Sequence, residues 1–153
     1  MKHICISIAL ATLATIPCFG QQSTTPTTIV GKDHPELIDD ATAYWHLFQS
    51  LSRSDRDTDD TFKQRRLAFA NQTGLTPTQV KRLLVAADQF TEQLAPFKGL
   101  PETPENHEAR TNTVLNIAAA LHQNLGPYAS SILTYYLNTK VKATITIFQP
   151  KQH

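Results

Sequence analysis

The residues Asp55-Arg56-Asp57-Thr58-Asp59-Asp60 bring more side-chain chemistry together than any other stretch of the chain. Asp55, Asp57 and Asp59 occupy alternate positions, as the first carboxylate ligands of a calcium-binding loop do before the chain enters a helix. The complete loop also needs a glycine at its sixth position for the sharp turn and a bidentate glutamate at its twelfth. Those positions hold Asp60 and Arg66. Arg56, Arg65 and Arg66 are close enough in sequence to neutralise the cluster, and acidic residues ahead of a helix also complement the positive end of its dipole. Metal binding through Asp55, Asp57 and Asp59 therefore stands as an alternative reading, beside a solvated acidic helix start.

Histidine spacing offers less. His34, His46, His107, His122 and His153 contain no pair at i, i+3 or i+4, the separations that set two imidazoles on one metal from one helix face. His107-Glu108 begins like a zinc-protease helix, but Thr111 stands where the second histidine belongs. His107 and His122 share a helix face only loosely, about 60° apart. There is no Gly-x-Ser-x-Gly elbow and no glycine-rich phosphate loop, so nucleophilic hydrolysis and nucleotide chemistry have no recognisable apparatus. No spacing singles out a carboxylate pair for glycoside hydrolysis. A non-enzymatic protein without a cofactor is the expectation.

These residues must be positioned by helices, because from Asp33 onward the apolar period is helical. Leu37, Ala41, Tyr44, Phe48 and Leu51 form one stripe behind a potential Asp33 cap. A second helix is predicted from about Asp60 to Thr73, with Phe62 and Phe69 on one face and Asn71 and Gly74 at its end. Thr76-Pro77-Thr78-Gln79 joins an N-cap, an N1 proline and an N3 glutamine, and starts a third helix over Val80, Leu83, Leu84, Ala87, Phe90 and Leu94. Thr103-Pro104-Glu105 repeats that start for a fourth, with His107, Thr111, Val114, Ala118, Leu121 and Leu125 inward and Gly126-Pro127 as its stop. A fifth begins near Tyr128 and turns Ile132, Leu133, Tyr136 and Leu137 inward. Residues 141–148 alternate with period two, which favours a strand. Helix to about Ala143 followed by an extended tail is the reading adopted, with Thr27-Thr28-Ile29-Val30 as the conceivable strand partner. Adjacent aromatics cannot all point inward from one helix, so Trp45 or Tyr135 is expected at a surface.

Residues 1–20 read as a cleaved signal peptide. Lys2 precedes an uncharged apolar run to Ile16, Pro17 breaks it, and Cys18 and Gly20 supply small residues at −3 and −1 of a cut before Gln21. The apolar run is shorter than the ~20 residues a membrane span requires. Cleavage would remove both cysteines, Cys5 and Cys18, and with them any disulfide, thiol nucleophile or cysteine-ligated zinc. It would also remove Lys2, leaving 13 cationic residues against 13 acidic ones. That neutral balance argues against a phosphate-neutralising surface, so no nucleic acid is expected as partner. Residues 21–32 are expected as a flexible linker, 33–148 as one helical domain and 149–153 as a disordered tail.

Leu75-Thr76-Pro77-Thr78-Gln79 resembles the Leu-Thr-x-x-Gln signature of the Spy/CpxP family of small helical periplasmic proteins. Ala43-Tyr44-Trp45-His46-Leu47-Phe48, Gly74-Leu75-Thr76 and Leu125-Gly126 are similar to segments of uncharacterised exported bacterial helical proteins. The first resemblance implies a chaperone-like, protein-binding role; the second implies export without an assigned activity. Together with the residues, they lead to an all-α fold of four or five antiparallel helices. The expected product is a periplasmic or secreted protein that binds other proteins, or a second copy of itself, through an apolar groove, with no stable membrane insertion of the mature chain.

Overall fold

The computed structural model describes residues 28–54 and 57–148. The expected signal peptide, the first part of the expected linker, Asp55, Arg56 and the expected tail at 149–153 lie outside the described residues. The fold is all-α: a five-helix bundle with one short antiparallel sheet joining the two ends of the described chain.

The first strand, β1 (Thr28–Val30), leads through Gly31 and a single 3₁₀ turn at Pro35–Leu37 into α1 (Asp40–Leu51). The cap of this helix is Asp39 and not Asp33, and its carboxylate accepts from the Thr42 amide at 2.7 Å. Ile38, in an extended conformation, breaks the chain between the 3₁₀ turn and α1. The shift moves the apolar stripe. Leu37 is exposed, while Ile38, Ala43, Tyr44, Leu47, Phe48 and Leu51 are buried.

Helix α2 (Asp59–Asn71) starts at Thr58, whose hydroxyl is paired reciprocally with Thr61. It buries only Ala70. Phe62 is half-buried and serves instead as a platform for the guanidinium groups of Arg53, Arg65 and Arg66, each 5.4–5.9 Å from its ring centre. Gly74, with φ of 78°, makes the turn into α3 (Pro77–Leu94). Here the predicted N-cap chemistry is present: Gln79 Oε1 accepts from the Thr76 amide at 2.9 Å.

A 3₁₀ turn at Ala95–Phe97 and Gly99 (φ 82°) reverse the chain toward α4 (Pro104–Leu125), capped by Thr103. Gly126 separates α4 from α5 (Pro127–Tyr136). Beyond α5 the chain remains helical but not regularly so: Leu137–Val141 is a π segment and Lys142–Thr144 a 3₁₀ turn. Strand β2 (Thr146–Phe148) then pairs with β1 in the register Thr28–Phe148, Ile29–Ile147 and Val30–Thr146.

One expectation is corrected by this pairing. Thr28–Lys32 are strand and turn, not linker, because the backbone groups of β1 find partners on β2 and the Gly31 amide donates to the Ile145 carbonyl at 2.8 Å. The extended segment expected after the helical run is β2, and the conceivable partner at Thr28–Val30 is its actual one. The half-buried Ile29 and Ile147 lie opposite each other on the face that packs against the core.

One contiguous core is shared by all these elements. Helix α4 lies against both α3 and α1, and α1 also packs on the π segment. Phe48, Leu47, Leu51, Leu83, Leu133 and Val114 are fully enclosed. A buried leucine or phenylalanine of this kind contributes about 1.5–3 kcal/mol of transfer free energy. No helix among the described residues is long and apolar enough to cross a membrane.

Candidate functional site

The most developed concavity lies where α1, the end of α3 and the start of α4 converge. Trp45 projects from α1 and meets Phe90 of α3 edge to face, with ring centres 5.3 Å apart and planes at 85°. Because the Leu94–Leu100 reversal swings the chain away from α3 before α4 begins, it leaves an open apolar groove of about 490 Å³ beside this pair. Leu94, Phe97 and Leu100 form its far wall, with Leu100 almost half exposed. Gly99 permits the turn through its positive φ and not through any lack of space, since nothing lies within 4 Å of the position a Cβ would take. Lys98 and Arg110 stand at its margin, and no carboxylate lines it.

Across Trp45 and Arg110 the groove passes into a polar hollow of about 410 Å³, lined in part by Asp39, Thr42, His46, Glu102 and His107. Arg110 divides the two spaces. It donates through Nη2 to Glu102 and through Nε to the Asn106 carbonyl at 3.2 Å. Glu102 also meets His107 Nδ1 at 3.2 Å. Desolvation raises the Glu102 pKa, but the hydrogen bonds and charges of Arg110 and His107 outweigh it and hold the carboxyl below its ordinary value.

His107 and His122 are not brought together. His107 is exposed at the start of α4, whereas His122, about 22 Å further along the axis, is tucked against α1. There Nε2 of His122 bonds to the Tyr44 hydroxyl and the two rings meet at 85°. Burial, aided by the Asp40 charge, pushes the Tyr44 phenol well above its usual range. Burial lowers the His122 pKa, with Asp40 opposing. Asp40 itself accepts from the buried Lys142 at 2.8 Å, tying α1 to the turn before β2. This network was not legible in sequence, because its members are separated by up to 102 positions.

In the acidic segment, Asp55 lies outside the described residues. Asp57 is turned toward protein donors: its carboxylate accepts from Arg65 Nη2 at 2.6 Å, Arg65 Nε at 3.3 Å and the Ser54 amide at 2.8 Å. The Arg65 hydrogen bond, followed by the Ser54 amide, holds the Asp57 carboxyl far below the usual carboxylate range. Asp59 pairs with Arg53 at 2.6 Å. Among the described residues no three His, Cys, Asp or Glu side chains are grouped to hold a metal ion.

An apolar groove was expected from the sequence, but no residues were assigned to it. Its one sequence signal was the excess of aromatics around Trp45, which required one ring to leave the core. Trp45 is half-buried and Tyr135 is exposed. No protein-family model, no curated protein and no solved structure matches this chain.

Proposed function

We propose that this is an exported, non-enzymatic helical protein that binds other polypeptides through the groove beside Trp45. One observation carries the reading: the half-buried Trp45, Leu94 and Phe97 and the exposed Leu100 line an open concavity beside the buried Phe90. A concavity with an aromatic and aliphatic lining is suited to take the apolar side chains of a partner. The Spy/CpxP-like start at Leu75–Gln79 opens α3, the helix that supplies Phe90 and Leu94 to that lining, and the features of residues 1–20 support export to the periplasm or the medium.

The test is whether purified residues 21–153 suppress aggregation of an unfolding client at near-stoichiometric ratio. Suppression that is lost in W45A supports the proposal. No suppression and no captured partner would sink it.

The metal-binding alternative has less support. Both described carboxylates, Asp57 and Asp59, already balance an arginine, and calcium would have to displace Arg65 from Asp57. Calorimetry decides between the two: absence of heat at millimolar calcium removes the alternative.

A further inference from the structure

Resting on the polypeptide-binding reading, we infer that the groove selects apolar segments flanked by acidic residues. The apolar wall alone is indifferent to the charge of what it covers, so selectivity must come from its margin. That margin holds Lys98 and Arg110 and no aspartate or glutamate. The two cations differ in kind. Lys98 follows the 3₁₀ turn at Ala95–Phe97, is exposed, and forms no ion pair among the described residues. Its ammonium is thus free to take a carboxylate at no cost in existing pairs. Arg110 is largely covered, and Glu102 and the Asn106 carbonyl hold two of its nitrogens. This leaves Nη1 for an incoming acceptor and orients the guanidinium plane in advance.

Glu102, the carboxylate nearest this margin, lies on the polar side of Arg110 and lines the other hollow. An acidic flank on the groove side therefore meets the unpaired Lys98 and the remaining donor of an arginine whose charge Glu102 already balances, whereas a basic flank meets Lys98 as a like charge. The formally neutral balance of the mature chain makes this local polarity more informative, since it does not follow from a general basic excess.

Trp45 is the chain's single tryptophan and forms part of the wall, so its fluorescence reports occupancy directly. Two synthetic peptides sharing one Leu/Phe core, one ending in glutamates and the other in lysines, would be titrated into the purified protein at low and high salt. The expected result is about threefold tighter binding of the glutamate peptide at low salt, from one new rim pair at Lys98. The difference should shrink as salt screens the pair. K98E should abolish or invert the preference, with an unchanged melting temperature showing that the exposed substitution leaves the fold intact. Equal binding of the two peptides, or a preference that K98E leaves untouched, overturns the charge selectivity while leaving polypeptide binding in place. Failure of both peptides to perturb Trp45 overturns both readings.

Discussion

At Gly31 a single missing atom decides whether the two ends of the fold can meet. A Cβ there would lie 1.9 Å from the Lys142 carbonyl oxygen and 3.0 Å from that of Ile145. Both obstacles are backbone, so no rotamer change relieves them. G31A is expected to destabilise the protein by about 2–3 kcal/mol, as overpacking of a closed site does, and urea unfolding followed by circular dichroism measures it. His122 governs a second residue-scale property. Its folded pKa lies below the unfolded value of about 6.5, so the unfolded chain takes up its proton first as pH falls. The stabilisation from keeping this ring neutral is present above that value and is lost progressively beneath it. The melting temperature should therefore fall between pH 7 and pH 5, and H122Q should show a shallower fall; equal slopes would remove His122 from the account. Asp57 acts in a lower window. Its depressed pKa contributes stability above about pH 4 that disappears on further acidification.

The helices differ widely in how firmly they are held. Helices α3 and α4 each bury five residues against neighbours, and α1 does the same. Helix α2 buries Ala70 alone, and is otherwise anchored by the half-buried Phe69, which meets Tyr136 edge to face at 6.3 Å, by arginine stacking on Phe62 and by pairs such as Arg66–Asp88 at 2.7 Å. Solvent-exposed ion pairs contribute at most about 1 kcal/mol each. Amides of α2 are accordingly expected to exchange with deuterium before those of α3 and α4, and F62A should accelerate exchange in α2 selectively. Protection of α2 equal to that of α4 would contradict this. The helix starts at Pro77 and Pro104 were legible because capping is local: threonine, proline and a partner three positions on are sufficient to stop one conformation and start another. The start of α1 was not. Asp33 and Asp39 are equally good caps in isolation, and the choice fell to Asp39 because Ile38 gains burial in the core while Leu37 stays outside.

Across the whole molecule, the two-stranded sheet ties the N-terminal segment to the end of the helical run. A chain beginning at Asp33 would lose β1 and the Gly31 contact, and would uncover Ile145 and Ile147. It should melt at a lower temperature than residues 21–153; an unchanged melting temperature would show the sheet to be dispensable. The alternation in residues 141–148 was visible from composition, as was the matching tract at Thr27–Val30. Neither tract could be assigned to a sheet alone, since a strand's hydrogen bonds are completed only by its partner. The sequence by itself determined the all-α class, a count of four or five helices and most inward positions, because helical period and capping act over a few residues. Only the tertiary structure decided the rest: which aspartate caps α1, that Tyr44, His122, Asp40 and Lys142 share a network, and that Trp45 borders an open groove. Those outcomes depend on elements distant in sequence competing for the same buried space, and no local pattern encodes the result of that competition.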